Sequence, residues 1–294
     1  MKTLIAMILL TIALPLKAGP SVSLTFDDGL DPRSQPEAAT WNAQILKTLE
    51  TEGIKAAFFP AGRFVDSPEG LALVRAWGDA GHMVGNHTYS HTDIDTMTLE
   101  AYIADISRGD QLFKAMPRFK PMLRFPYLRE GATAEKRDGV RAWLAKNGYS
   151  PAPVSIVTGD GYYSGRLTAG LVKSTFRDTG AFRLAYVKHI VDRAAYYEKV
   201  ARETLGRSPH HVMLLHANRV NATFLRDAIA GLRAAGWTIV DAQMAFADPL
   251  YARQAKGLPA NSSIVTSLAR DAGRPVPPAP EEDWGKATLD ALGY

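Results

Sequence analysis

The sequence contains no cysteine. Disulfides, thiolate metal sites and a lipidated N-terminal cysteine are thereby excluded, and an exported chain of this kind must hold itself together by its core. Long apolar runs are also missing, except at the start, where Met1-Lys2 leads into a nearly unbroken apolar stretch to Leu16 and then Lys17-Ala18-Gly19-Pro20. That stretch is shorter than the about 20 residues needed to cross a bilayer, and its apolar middle and small residue before Gly19 match a secretory signal. Residues 1–18 are therefore expected to be a signal peptide, leaving an exported protein, periplasmic or secreted, without a stable membrane span. A strong excess of one charge is lacking too: the formal net charge of +4 falls to +2 once Lys2 and Lys17 are removed. No nucleic-acid partner is expected from so small a surplus. Internal repeats are absent, and a monomer is expected.

What remains is ordinary globular composition, 46% hydrophobic and 22% charged, enough to bury a sizeable core. Short β-rich runs alternate with longer helical patterns. Strands are expected at 22–26, 55–59, 83–85, 122–125, 154–157, 211–215 and 238–240. Helices are expected at 37–52, from Ser67-Pro68 to Gly81, and at 99–116, 134–147, 171–205 and 224–235. Repeated βα units predict an α/β fold, a parallel sheet of about seven or eight strands with helices outside it, suited to closure into a barrel. In such a fold the active site lies where the strands end. Five polar groups occupy such ends: Asp27-Asp28, His87 with His91, Arg124 with Pro126-Tyr127, Asp160, and His216.

The two histidines, four residues apart, are expected to share one face of a helical turn and to grip a metal ion. A catalytic zinc site takes about three protein ligands and leaves a position for water, so a third ligand must come from elsewhere, and the best source is the acidic pair Asp27-Asp28. Each group alone has a duller reading. Paired aspartates before glycine are most often a solvated turn, Arg124 alone a surface ion pair, and His216 alone a satisfied buried histidine. His82, His189, His210 and His211 are given that bland reading. Together, the five strand ends favour a hydrolytic metal site.

Thr25-Phe26-Asp27-Asp28-Gly29, His87-Thr88-Tyr89-Ser90-His91, Arg124-Phe125-Pro126-Tyr127 and Leu214-Leu215-His216 resemble, in order, motifs of the polysaccharide deacetylases, carbohydrate esterase family 4, with its NodB-homology domain. The resemblance covers roughly residues 22–248. It implies a distorted (β/α) barrel of about seven parallel strands, NodB-like, that binds a divalent metal, zinc above all or cobalt, and removes N- or O-acetyl groups from carbohydrate. The implied ligands are Asp28, His87 and His91, and the metal would bring the pKa of bound water down from 15.7 towards about 7. Asp27 is the implied general base and His216 the general acid. Arg124 would orient Asp27, with Asp160 holding the arginine or tuning the local field. The metal and the Tyr127 N–H would stabilise the oxyanion, Pro126 would shape the substrate side, and Leu214 would line a pocket for the acetyl methyl. One departure stands out: where the family's fourth motif commonly has Asp-Trp, this chain has Asp160-Gly161-Tyr162-Tyr163. Either Tyr162 or Tyr163 supplies the missing aromatic wall, or the sugar-facing surface here is weaker or different.

Three parts are expected: the signal peptide 1–18, a catalytic domain 19–248, and a C-terminal extension 249–294 with a proline-rich linker at 273–280. The expected partner is an acetylated carbohydrate. The alternatives are an acetylxylan-type esterase and a non-catalytic glycan-binding protein on the same fold.

Overall fold

The computed structural model describes residues 19–172, 179–280 and 284–294. The expected signal peptide lies outside them. Eight strands occur among the described residues: β1 Ser21–Asp28, β2 Ala57–Pro60, β3 Met83–Asn86, β4 Phe119–Leu123, β5 Ser150–Pro151, β6 Ile156–Val157, β7 His210–His216 and β8 Thr238–Ile239. The helices that return the chain between them include α1 Ala38–Thr51, α2 Gly62–Val65, α3 Pro68–Asp79, α4 Leu99–Phe113, α5 Ala134–Lys146, α6 Asp160–Val172, α7 Thr179–Leu205 and α8 Arg219–Ala234. Later come α9 Ala242–Phe246 and α10 Ile264–Asp271. Ser67 starts α3 as expected, its hydroxyl accepting the Gly70 N–H at 3.0 Å with Pro68 at the first position. The helix expected over 171–205 is instead parts of two, because α6 already begins at Asp160 and α7 at Thr179; 173–178 lie outside the described residues.

All strand pairs within the sheet are parallel, in the order β5-β4-β3-β2-β1-β7-β6, with β8 paired to the start of β1. The two edge strands, β5 and β6, are consecutive in the chain with only residues 152–155 between them. That link reaches at most about 18 Å, whereas seven strands laid flat would span about 29 Å. The sheet must therefore curl, and the parallel α/β sheet expected from the alternation forms a half-barrel, the distorted barrel of the resemblance. Its central strands are buried along nearly their whole length, as strands covered on both faces are. Phe26, Phe58 and Trp77 cluster beneath them with ring centres 4.6–5.1 Å apart, and the Trp77 Nε1–H donates to Asn42 Oδ1 at 2.8 Å.

Parallel pairing sends every strand's C-terminal end to one rim. In register, Asp27 pairs with His216 on β7 and Asp28 with Pro60 on β2, while Asn86 pairs with Leu123, so that His87 and Arg124 leave adjacent strand ends together. The C-terminal residues pack on the same body. The proline-rich stretch lies along α7, where Tyr196 Oη donates to Pro277 O at 2.6 Å and Arg193 to Pro280 O at 3.3 Å. No helix among the described residues is long and apolar enough to cross a membrane.

Asp248 ties the chain after α9 to the start of β7. Desolvation works against its charge, but the Arg207 guanidinium at 2.5 and 2.8 Å and the N–H groups of Leu250 and His210 hold its carboxyl down at about 2. A carboxylate depressed in the folded state stabilises fully above its unfolded pKa of about 3.9 and loses that contribution as pH falls through the folded value. Asp248→Ala is accordingly expected to lower the unfolding free energy at pH 7 by about 1–3 kcal/mol. Urea denaturation at pH 7 and near pH 2 checks this: the difference between variant and wild type shrinks at the lower pH, and an equal difference at both would contradict the assignment.

Candidate metal centre and active site

Asp27 and Asp28 stand where β1 reaches the rim. Asp27 is buried, and Asp28 turns away from it because its backbone is left-handed, φ 73°, followed by Gly29 at φ 105°. Gly29, free of a Cβ, permits the tight turn that aims both carboxylates at the rim. The histidine segment departs from expectation. Residues 87–91 form no helical turn but an irregular loop in which Thr88 has φ 65° and His91 φ 53°. The two histidines do converge, but through left-handed backbone rather than the shared face of a helical turn. The two rings meet edge to face, 4.8 Å between centres, because the left-handed residues fold the loop back on itself.

The surrounding chain holds this loop. Asn86 Oδ1 accepts the Thr88 N–H at 2.9 Å, the Asp105 carboxylate accepts the Ser90 N–H and hydroxyl at 2.9–3.2 Å, and Gly62 and Arg63 donate to the Thr88 and Tyr89 carbonyls. Gly109 on α4 permits the approach: a Cβ there would come within 2.5 Å of Asn86 Oδ1. Of the seven non-glycine residues with positive φ among those described, Asp28, Thr88, His91 and Tyr127 belong to this rim. Such conformations cost about 1–3 kcal/mol each and persist where the surroundings enforce them.

Asp28, His87 and His91 bring one ligand atom each to within 4.8 Å of one another. Asp28 Oδ1 lies 3.1 Å from His91 Nε2 and 3.5 Å from His87 Nε2, yet makes no hydrogen bond although buried. His87 Nδ1 is 2.7 Å from the Arg124 carbonyl oxygen, an acceptor only, so that nitrogen carries a proton and Nε2 is the ring nitrogen turned towards Asp28. Desolvation opposes charge on Asp28, but the facing imidazoles hold its carboxyl well below the ordinary range. An orphaned carboxylate oxygen and two imidazole nitrogens converging on one point fit a divalent cation with one oxygen and two nitrogen ligands.

Two ion pairs flank that point. Arg124, fully buried, donates through one terminal nitrogen to both oxygens of Asp27 at 3.0 and 3.1 Å. Its Nε–H donates to the Ala152 carbonyl at 2.5 Å and its other terminal nitrogen to Thr25 Oγ1 at 3.2 Å. Asp160 does not touch Arg124, contrary to the first of the two roles expected for it. It holds His216: Oδ1 lies 2.7 Å from His216 Nδ1, while Oδ2 accepts from the His216 N–H, Asn218 and Asn221 at 2.7–3.0 Å. Asn221 Oδ1 is held in turn by the Tyr186 hydroxyl at 2.6 Å. Burial would lower the His216 pKa, but the carboxylates of Asp160, Asp28 and Asp27 push it up to about 10. His216 Nε2 points towards Asp28 at 4.0 Å.

Pro126 opens the turn that places Tyr127, with φ 57°, beside the metal ligands, and the exposed Tyr127 ring meets His91 edge to face at 4.8 Å. Leu214 is buried at the end of β7 and is not part of the wall of the cavity beside the site, whose volume is about 880 Å³. Tyr163 is not an aromatic wall either: it is fully buried against Phe182, Tyr186 and His189. Tyr162 pairs with Arg166, outside the cavity. The position of Gly161 stays open. Of the remaining histidines, His82, His189 and His211 are satisfied buried groups, and the half-buried His210 bonds the Ser21 hydroxyl through Nδ1 at 2.6 Å; His82 accepts the Ala56 N–H, and burial lowers its pKa to about 4. The sequence reading missed Asp105, Asn218, Asn221 and Tyr186. Only Asn218 had a signal, as the residue capping α8 with Asn221 three positions later.

Residues 17–150 match the family model described as polysaccharide deacetylase. A peptidoglycan-N-acetylglucosamine deacetylase from Bacillus cereus is 31% identical over 107 residues, 36% of this chain and 36% of that protein, so the match spans about a third of the relative. Among solved structures, a polysaccharide deacetylase from Bacillus cereus superposes with a TM-score of 0.55 at 21% identity, covering 76% of this chain and 91% of that one. A pseudoenzyme of carbohydrate esterase family 4 from Bacillus anthracis gives 0.53 at 16% identity, covering 77% and 65%. At these identities the likeness is one of fold.

The loop contacts predict a separable effect on metal affinity. Asp105→Ala leaves all three ligands in place but frees Ser90, and is expected to weaken zinc or cobalt binding about 10–100-fold, while His91→Ala abolishes it. Competition against a chromophoric chelator measures both. Unchanged affinity in Asp105→Ala would mean that the left-handed loop keeps its shape without that carboxylate.

Proposed function

This chain belongs to the polysaccharide deacetylase family, carbohydrate esterase family 4, and from that premise we propose that it is a metal-dependent hydrolase removing acetyl groups from an amino-sugar polymer or oligomer. The observation that carries the proposal is the convergence on one rim of three metal-type ligands, a carboxylate held by a buried arginine, and an imidazole held by a buried carboxylate. In this reading Asp28, His87 and His91 hold the cation, and zinc suits their donor set. When bound, the ion supplies Lewis acidity towards the acetyl carbonyl and towards water.

The protein's own groups carry the protons. Asp27 accepts one at its carboxylate from the attacking water, its orientation set by Arg124. His216, with its pKa raised to about 10, is protonated at neutral pH and donates from Nε2 to the leaving amine, while Asp160 holds Nδ1. The Tyr127 N–H is assigned to the oxyanion. Export, to the periplasm or beyond, is the reading supported by the N-terminal apolar run, with residues 19–248 as the catalytic domain. The presence of both proton-transfer pairs favours an enzyme over a glycan-binding protein, because binding alone needs neither.

Two measurements test this. Metal-loaded protein is expected to release acetate from N-acetylated chitooligosaccharide or peptidoglycan fragments, and chelation is expected to stop it. His216→Ala and Asp27→Asn should each lose at least about 100-fold, with circular dichroism confirming that each variant folds. Acetate release unaffected by chelation, or none with metal bound, would remove the hydrolase reading. The pH profile gives the second. Asp160→Asn takes away the carboxylate that raises the His216 pKa, so the imidazolium deprotonates at lower pH and the alkaline limb of the profile moves down. An unmoved limb would detach Asp160 from His216.

A further inference from the structure

The cavity beside the metal centre is larger than an acetyl group requires. Its volume of about 880 Å³ falls in the range of roughly 300–1,000 Å³ typical of small-molecule sites. It begins at Asp28 and His216 and extends between the α6 helix and the chain leading into α1, where Trp41 and Arg219 line it together. The Arg219 guanidinium carbon lies 5.4 Å from the centre of the Trp41 ring. Both residues are half-buried. Among the described residues no carboxylate forms an ion pair with Arg219: Asp31 is taken by Arg33 at 2.8 Å, and Glu37, which shares the cavity wall, pairs with no cation. A guanidinium fixed by an aromatic ring, half out of water and without an anion of its own, is matched to a carboxylate by charge and by its fork of donors. Arg219 is also the first residue of α8, where the helix dipole favours negative charge.

The opposite wall is α6. Gly161, Gly165 and Thr168 lie on its cavity side. A Cβ added at Gly161 or Gly165 would meet nothing within 4 Å, and neither residue has positive φ. Neither glycine is demanded by backbone or by packing, although Gly165, inside the helix, costs it about 0.5–1 kcal/mol relative to alanine. What they leave is open space next to the site, at the place where the expected tryptophan is missing.

We infer that this cavity is a saccharide subsite for a carboxylate-bearing sugar adjoining the acetylated one, with the sugar ring in the space beside Gly161 and Gly165 and its carboxylate on Arg219. The inference rests on the reading of the rim as a carbohydrate deacetylase site. It makes the substrate an acidic amino-sugar glycan, such as one carrying lactyl ether or uronic acid groups, rather than a neutral polymer.

The test uses the full chain loaded with zinc and two probes: an N-acetylated amino-sugar disaccharide with a lactyl carboxylate, and the same disaccharide with that carboxylate reduced to the alcohol. Isothermal titration is expected to show at least about tenfold tighter binding of the acidic probe, and Arg219→Gln is expected to bring the ratio to near one. Gly165→Phe, at a position where an added Cβ meets nothing within 4 Å, should weaken both probes and leave their ratio above one, with circular dichroism confirming that the variant folds. In acetate release, the preference for the acidic probe should appear in KM. Equal binding of the two probes by wild type, or a ratio unchanged in Arg219→Gln, would overturn the subsite. Because binding is read independently of turnover, acidic preference without acetate release would support the subsite while removing the hydrolase reading. Acetate release without acidic preference would do the reverse.

Discussion

The rim is organised by one buried cation. Arg124 sits with 1% of its surface exposed, and an unpaired guanidinium at such a depth would be prohibitively costly. It is satisfied from several strands at once: by Asp27 and Thr25 on β1, by the Ala152 carbonyl on the link between the sheet's edges, and by the face of Phe59 on β2 at 4.6 Å. Its own carbonyl oxygen takes the Nδ1–H of His87 from the end of β3. The same residue therefore closes the curl of the sheet, aims a carboxylate and selects the tautomer of a metal-type ligand. Shifting any one of these strands would leave the charge partly unpaired, which ties the geometry of the rim to the integrity of the curled sheet.

The two flanking pairs divide the charges of the rim. On one side a cation is buried and its carboxylate partner faces the rim; on the other a carboxylate, Asp160, is buried and its imidazole partner faces the rim. Arg124 and Asp160 are each satisfied several times over, so the partners they present to the rim, Asp27 and His216, are held in one orientation. Left-handed backbone at Asp28, Thr88, His91 and Tyr127 does the equivalent for the chain itself. These residues give up local backbone stability, and the contacts to Asp105, Asn86 and Gly62 offset it.

The order of elements was legible because β and α periodicities differ and because Ser67-Pro68, Gly53, Gly81 and Gly148 mark helix ends plainly. Strand ends were legible to within a few residues, close enough to place Asp27, Asp28, His87, Arg124 and His216 at one rim. The loop at 87–91 was not, since an i,i+4 histidine pair carries a helical signal that tertiary contacts from α4 override. The partner of Asp160 was also hidden: His216 is 56 residues away in sequence, and local pattern says nothing about which of two buried charges a carboxylate will meet.

By itself the sequence determined the alternation that makes a parallel sheet, the residue types at its strand ends and the family resemblance those residues carry, because these follow from period, punctuation and side-chain chemistry. The tertiary structure alone decided which of those groups touch, which imidazole nitrogen is free, and that the place of the missing aromatic remains open beside Trp41 and Arg219. Those outcomes depend on strand register, the curl of the sheet and the desolvation of charge, which arise only when residues far apart in the chain are brought out of water together.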